Sequence, residues 1–134
     1  MFVKTLFASA VFAVVVSVVI SAELYTNKYD NIDLDEILKN ERLYQKYFDC
    51  LRGKGKCTPD GQNLKDVIPD ALQTECGKCS EVQKKGVEKV LRFMLTQKPE
   101  DYQILEDIFD KDAVYRKKYE EQKKLAVEGK PITY

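Results

Sequence analysis

Four cysteines constrain this chain more than any other feature of its sequence, because they are spaced C-x6-C-x18-C-x2-C. The first pair lies in CLRGKGKC and the second in CGKC, so each pair is close enough to form a small ring by itself. Spacing alone also permits the two crossed pairings. Loop chemistry favours Cys50 with Cys57 and Cys76 with Cys79, and the chain-entropy model assigns such rings about 2–2.5 kcal/mol each.

The chain opens with the pattern of a secretory signal peptide. A short positive region precedes an almost unbroken apolar run over residues 6–20, and the small residues Ser21 and Ala22 follow it. The run is shorter than a membrane span requires, and no basic stop-transfer cluster follows. We therefore expect a signal peptide of residues 1–22, cleaved after Ser21 or Ala22. The product, residues 23–134, is expected to be secreted and extracellular, without stable membrane association.

Two other uses of the cysteines fit the sequence less well. Four thiolates could bind zinc, but C-x6-C is wider than the usual C-x2–4-C knuckle, and secretion favours disulfides. CGKC could be a redox motif, yet no thioredoxin-like βαβ pattern surrounds it. We therefore expect two structural disulfides, no metal and no cofactor.

Composition argues against several classes of function. The chain has 22 basic and 22 acidic side chains, and losing Lys4 with the signal peptide leaves a net charge of −1. Without a basic excess, nothing favours nucleic acid as a partner. The chain has no histidine, so the usual general base and the Ser-His and Cys-His nucleophile pairs are missing. A dense acidic run is interpreted as a solvated helix face, not as acid–base machinery, and an enzyme is not expected. This run consists of Asp101, Glu106, Asp107, Asp110 and Asp112.

Apolar residues recur at helical spacing after the signal peptide, which predicts one all-α domain of about six short helices. The predicted helices cover residues 33–40, residues 43–53, a segment from Thr58, residues 80–97, a segment from Pro99, and residues 112–129. In the third helix, Thr58 and Pro59 form a start signal. Pro69 predicts that this helix kinks or restarts.

A resemblance to the insect chemosensory protein family, also called OS-D-like proteins, rests on three stretches of sequence. These are YTNKYDNIDLDEIL, YFDCLRGKGKCTPDGQNLKDVIPDALQTECGKCSEVQKKGVEKVL and YRKKYEE. The resemblance covers essentially all of residues 23–134. It implies six helices around a hydrophobic channel, two locally paired disulfides, and no catalytic residues. It also implies binding of long-chain lipids, fatty-acid derivatives, odorants or pheromones, although several members act in development, regeneration, cuticle or reproductive secretions.

The resemblance also implies a set of ligand-binding positions. Channel-lining positions fall on Tyr47, on the apolar face of NLKDVIPDAL, and on the apolar face of the long helix that follows CGKC. Tyr29 and Tyr115 match positions at the channel mouth, where many relatives carry tryptophan in place of Tyr115. The candidate ligand-binding residues are Tyr29, Tyr47, Leu64, Val67, Ile68, Ala71, Leu72, Val87, Val90, Leu91 and Tyr115.

Ordinary core packing is the competing interpretation of each apolar candidate. Tyr47 differs, because a hydroxyl within an apolar face needs a hydrogen-bond partner. A lipid head group could supply that partner, and so could a backbone carbonyl or water. At about 0.8 kcal/mol per methylene, a twelve-carbon tail offers about 10 kcal/mol before the costs of binding, which predicts micromolar affinity and broad selectivity.

We therefore predict a secreted, monomeric carrier of hydrophobic small molecules. The alternative is a secreted interaction protein that acts in development or tissue regeneration, with lipid binding incidental. Its footprint would be the charged last helix and the tail GKPITY. A solvated amphipathic surface is the simpler interpretation of that helix.

Overall fold

The computed structural model describes residues 24–133, and every regular element within that range is a helix. The helices are α1 Leu34–Lys39, α2 Glu41–Leu51, α3 Pro59–Thr74, α4 Glu81–Gln97, α5 Pro99–Phe109, α6 Val114–Lys118 and α7 Glu120–Val127. The predicted all-α fold is confirmed, but the last predicted helix is divided into α6 and α7 at Tyr119. None of the helices in this range is long and apolar enough to cross a membrane. The expected signal peptide lies outside the described residues.

Side-chain caps fix where several helices begin. Asn40 ends α1, and its side chain accepts hydrogen bonds from the first turn of α2. Thr58 caps α3 and Pro59 is its first residue, as the sequence predicts. Ser80 and Gln83 form a reciprocal capping box at the start of α4. These helix starts are therefore encoded locally, within four residues of chain.

The two disulfides join Cys50 to Cys57 and Cys76 to Cys79, which confirms the predicted local pairing. The first of them lies between the end of α2 and the start of α3. Gly61 is buried in the first turn of α3, and a Cβ there would lie 3.2 Å from the Cys50 Sγ. This disulfide therefore packs against a glycine that leaves room for it.

Helix α3 runs without a break from Pro59 to Thr74, so of the two outcomes predicted at Pro69, a kink or a restart, the restart is wrong. Proline removes one backbone hydrogen bond from a helix interior and crowds the preceding turn. Pro69 is exposed, so water can satisfy the carbonyl that loses its partner. Both ends of α3 are also fixed by contacts with other elements, which favours one continuous helix over two.

The closed core is small and lies around α2 and α4. Tyr44, Phe48 and Met94 form its buried cluster. The Tyr44 ring stacks on Phe48 with 6.1 Å between centroids and meets Phe93 edge-on at 5.6 Å. Partly buried side chains surround the cluster, namely Leu38, Val90, Phe93, Tyr102 and Leu105. Helix α4 is central, since it packs against α1, α5 and α7.

A buried ion network joins α5 to α6 and α7. Both carboxylate oxygens of Asp110 accept backbone N–H groups, those of Tyr115 and Arg116, each at 3.0 Å. Glu106 pairs with Arg116 at 3.3 Å and with Lys123 at 2.9 Å. Asp110 is buried and the Glu106 side chain nearly so. Interpreting the acidic run as a solvated face is therefore wrong for these two residues, because their cationic partners come from other helices.

Candidate functional site

The first turn of α3 is attached to α2 by a phenol and a carboxylate. The Tyr47 hydroxyl donates to the Asp60 Oδ2 at 2.5 Å, and the Thr58 hydroxyl donates to the other oxygen of the same carboxylate. Burial and the hydrogen bond to Asp60 raise the pKa of Tyr47. Burial acts to raise the pKa of Asp60, but the hydrogen bonds from Thr58 and Tyr47 hold this pKa below its usual value. At neutral pH Tyr47 is therefore a neutral donor to an ionised acceptor.

Three other contacts hold the C-terminal end of α3. The Tyr119 hydroxyl donates to the backbone carbonyl of Leu72, and Lys118 pairs at 3.2 Å with Glu75, just beyond the helix. The Tyr25 hydroxyl, from the segment before α1, donates to Asp70. Burial and this hydrogen bond raise the pKa of Tyr25 to about 12. The C-terminal end of α3 is thus bound to two separate parts of the chain.

Between these anchored ends, the apolar face of α3 is incompletely packed. Among the described helices, the one extensive backbone contact of α3 is with α2. Leu64 remains 39% exposed. The other apolar candidates on this helix are half-buried, namely Val67, Ile68, Ala71 and Leu72. The face therefore keeps apolar surface that no other helix covers.

The candidates on α4 divide between core and open surface. Val90 packs against the buried cluster around Met94, so it contributes to the closed core. Val87 is 41% exposed, and Leu91 one turn later is half-buried. Helical geometry places Val87 and Leu91 on one face. Gly86 lies on a different side, where a Cβ would be 3.1 Å from the Leu34 Cδ1 of α1.

Two isoleucines of α5 were missed in the sequence-based candidate set. Ile104 is 39% exposed and Ile108 45% exposed, whereas Tyr102 and Leu105 of the same helix pack against the core. The isoleucines are four residues apart, so they share one helix face. The signal was present in the sequence, because apolar residues occupy more than one face of this helix, but periodicity alone does not show which face remains open.

The two tyrosines predicted at the mouth lie in different surroundings. Tyr115 of α6 is half-buried, with its ring centroid 6.1 Å from that of Tyr119, whose hydroxyl reaches α3. Tyr29 is half-buried in the segment before α1, and the Nζ of Lys28 lies 5.7 Å from its ring centroid. Tyr115 is therefore connected to the α3 end through Tyr119, whereas the contact made by the Tyr29 ring is local to its own segment.

Two open clefts lie elsewhere on the surface. One, of about 480 Å³, lies between α1 and α4, and the other, of about 590 Å³, lies between α4 and the α6–α7 segment. Neither cleft is lined by a residue of the candidate ligand-binding set. The apolar candidates other than Val90 lie instead on the incompletely packed faces of α3 and α4.

Comparison with known proteins places the chain near insect chemosensory proteins. The insect pheromone-binding family, A10/OS-D, matches residues 25–117. Ejaculatory bulb-specific protein 3 of Drosophila melanogaster is 52% identical over 103 residues, which are 76% of this chain and 82% of that protein. Putative odorant-binding protein A10 of the same fly is 50% identical over 106 residues, 79% of this chain and 68% of that protein.

The fold is also similar to a solved structure of a chemosensory protein in complex with bromo-dodecanol. The TM-score is 0.67 and the sequence identity is 43%. The match covers 72% of this chain and 97% of the other. Fold and sequence thus point to the same group of proteins.

Proposed function

Since the chain belongs to the insect pheromone-binding family A10/OS-D, we propose that it carries long-chain lipids, fatty-acid derivatives, odorants or pheromones. The family is one of chemosensory and odorant-binding-type proteins, which supports a role as a small-ligand carrier. The guest would lie in a channel between the apolar faces of α3, α4 and α5. Secretion, with removal of residues 1–22, and a monomeric state belong to the same proposal.

One observation carries the proposal. Four large apolar side chains on three helices, Leu64 of α3, Val87 of α4, and Ile104 and Ile108 of α5, are each about two-fifths exposed. The buried cluster of the closed core, by contrast, contains three residues. Apolar surface left open in this way is unfavourable in water, at about 25 cal/mol per Å². A hydrophobic guest that covered it would recover that free energy.

The attachment of α3 supports a channel that a guest can enter without unfolding the protein. The polar contacts of this helix are at its ends, through Asp60, Asp70, Leu72 and Glu75. Its apolar middle is not held in this way, so side chains there can move apart while the ends remain attached. We propose that Tyr29 and Tyr115 lie at the mouth, and that Val90 forms the wall where the channel meets the core.

The chemistry of the guest follows from this lining. The lining helices offer mostly hydrocarbon, so each methylene of a guest contributes similarly, and chain length is discriminated weakly. A twelve-carbon alcohol is the natural first probe, since a similar chemosensory protein has been solved with bromo-dodecanol. Affinity near micromolar is expected once the costs of association are subtracted.

Displacement of an environment-sensitive fluorophore by C12–C18 alcohols, esters and acids tests the proposal. Competition below about 100 µM supports a carrier, and its absence across the series refutes the proposal for this protein. A matched pair of variants tests the location. Val87→Thr adds a hydroxyl to the channel and should weaken dodecanol binding about five-fold, which corresponds to about 1 kcal/mol. Val82→Thr alters another exposed valine of α4 and should leave affinity within about two-fold.

Three cations of the charged last segment, on which the alternative of an interaction protein rests, are paired within the domain. Arg116 and Lys123 pair with Glu106, and Lys118 pairs with Glu75. These cations are therefore engaged in holding α6 and α7 to the rest of the domain. A binding role for this segment would have to compete with those pairs.

A further inference from the structure

The cleft between α1 and α4 has the chemistry of a second binding site, separate from the proposed channel. Its volume is about 480 Å³, and its apolar lining consists of Leu38 and Phe93. Both side chains are partly buried against the core cluster, so they form a fixed apolar floor that reaches into the domain. The other lining residues are polar or charged and form a rim around that floor.

The rim has an excess of positive charge. Four cations and two carboxylates line the cleft, which leaves an excess of two positive charges on a chain whose full sequence is neutral. Two of the cations are neutralised locally. Lys89 pairs with Asp35 at 3.0 Å, and Arg92 pairs with Glu88 at 2.9 Å.

Lys39 and Lys85 supply the remaining charge. Lys39 is the last residue of α1, and Lys85 lies in the second turn of α4. Both are exposed, and neither forms an ion pair with any residue in the range 24–133. The cleft therefore presents two uncommitted ammonium groups beside an apolar floor, which is complementary to an anionic head group joined to a hydrocarbon chain.

The concave shape selects among molecules with that chemistry. A bilayer presents its head groups as a broad surface, which matches a single cleft of about 480 Å³ less well than one molecule does. One single-chain molecule can place its first methylenes on the floor of Leu38 and Phe93 and its head group on the positively charged rim. We infer that this cleft binds a single-chain anionic lipid, with a doubly charged phosphate monoester favoured over a singly charged carboxylate.

The preference for phosphate follows from the charge excess of the rim. A phosphate monoester carries about −1.5 to −2 at neutral pH, against −1 for a carboxylate. A doubly charged head group is attracted more strongly than a singly charged one by a rim with two excess positive charges. The interaction is exposed, so each lysine should contribute modestly and lose its effect as salt is added.

Titrating the protein with dodecyl phosphate, laurate and dodecanol, each below its micelle-forming concentration, tests the inference. Backbone amide NMR shifts locate each ligand, and isothermal titration gives its affinity. Dodecyl phosphate should shift Leu38 and Phe93 and should bind more tightly than laurate. The double variant Lys39→Gln/Lys85→Gln should weaken dodecyl phosphate about ten-fold, from about three-fold for each lysine. Lys46→Gln, at an exposed lysine of α2, is the matched control.

The outcomes separate this site from the proposed channel. Dodecanol binding that is unchanged in the double variant is expected, because its site is the channel, and a lack of dodecanol binding counts only against the carrier proposal. The cleft assignment is overturned if the double variant binds dodecyl phosphate as tightly as the wild-type protein does. Lysine-dependent binding to vesicles containing anionic phospholipid, without binding of monomeric dodecyl phosphate, also overturns it and assigns the lysines to a membrane surface.

Discussion

Replacing Tyr47 by phenylalanine distinguishes two roles for its hydroxyl. In the structure the hydroxyl donates to Asp60 and so attaches α2 to the first turn of α3. A hydrogen bond to a charged group contributes about 1.5–3 kcal/mol when buried. Tyr47 is only half-buried, and Asp60 keeps its bond from Thr58, so we expect a loss of about 1 kcal/mol. For a domain of this size that corresponds to a decrease in Tm of about 4 °C.

The pH dependence of stability provides a second readout of the same contact. Asp60 has a lowered pKa in the folded protein, so its contribution is present above the unfolded value of about 3.9 and is lost as pH falls through the folded value. Tyr47 has a raised pKa, so its contribution is present below pH 10.0 and is lost as pH rises through the folded value. Tyr47→Phe should remove the part of the alkaline loss of stability that is due to Tyr47, and it should reduce the acid loss that is due to Asp60.

Denaturant unfolding and dodecanol affinity, measured on the same samples, complete the test. We expect Tyr47→Phe to be less stable than the wild-type protein but to bind dodecanol with an affinity within about two-fold of wild type. The reason is that the Tyr47 hydroxyl already donates its proton to Asp60. Tyr44→Phe is the control, since it removes another tyrosine–carboxylate hydrogen bond, which joins α2 to Asp101 of α5 at 2.8 Å. If Tyr47→Phe left stability unchanged and weakened dodecanol binding about ten-fold, the hydroxyl would bind the ligand's head group and would not hold α3 to α2.

Two further substitutions test how the domain is held together. Replacing Cys50 and Cys57 by alanine should lower the free energy of unfolding by about 2.5 kcal/mol in denaturant titrations, the value for a ring of eight residues, and an unchanged midpoint would contradict this. Asp110→Asn removes a buried charge that accepts the backbone N–H groups of Tyr115 and Arg116, so we expect a loss of about 2 kcal/mol and faster amide exchange at both. Slow exchange there in Asp110→Asn would show that α6 does not depend on this carboxylate.

Features of the fold set by neighbouring residues could be predicted from the sequence. Thr58 and Ser80 cap their helices through bonds within three residues, so the starts of α3 and α4 were evident. The local pairing of the disulfides was also favoured correctly by loop chemistry. The need of Tyr47 for a hydrogen-bond partner was predicted, but the partner itself depends on how α3 packs against α2.

Features set by contacts between distant residues were not predictable in the same way. The sequence contains no helix-breaking residue between positions 112 and 129, yet the helix is interrupted at Tyr119. The hydroxyl of Tyr119 donates to the backbone carbonyl of Leu72 on α3. The sequence predicts that Glu106 is solvated, but in the structure Arg116 and Lys123 pair with its carboxylate, and the side chain is nearly buried. Periodicity likewise identifies apolar faces without showing which of them stay uncovered.

The attachment of α3 at its two ends has an evolutionary consequence. The helix caps, the two disulfides, the ion pairs and the buried cluster around Tyr44 hold the fold, whereas most of the residues proposed to contact a guest belong to a different set. Substitutions at Leu64, Ile104 or Ile108 therefore need not satisfy the tight packing that a filled interior demands. Ligand preference can therefore change between related proteins while the scaffold persists. A small protein built in this way can diversify its cargo faster than its architecture.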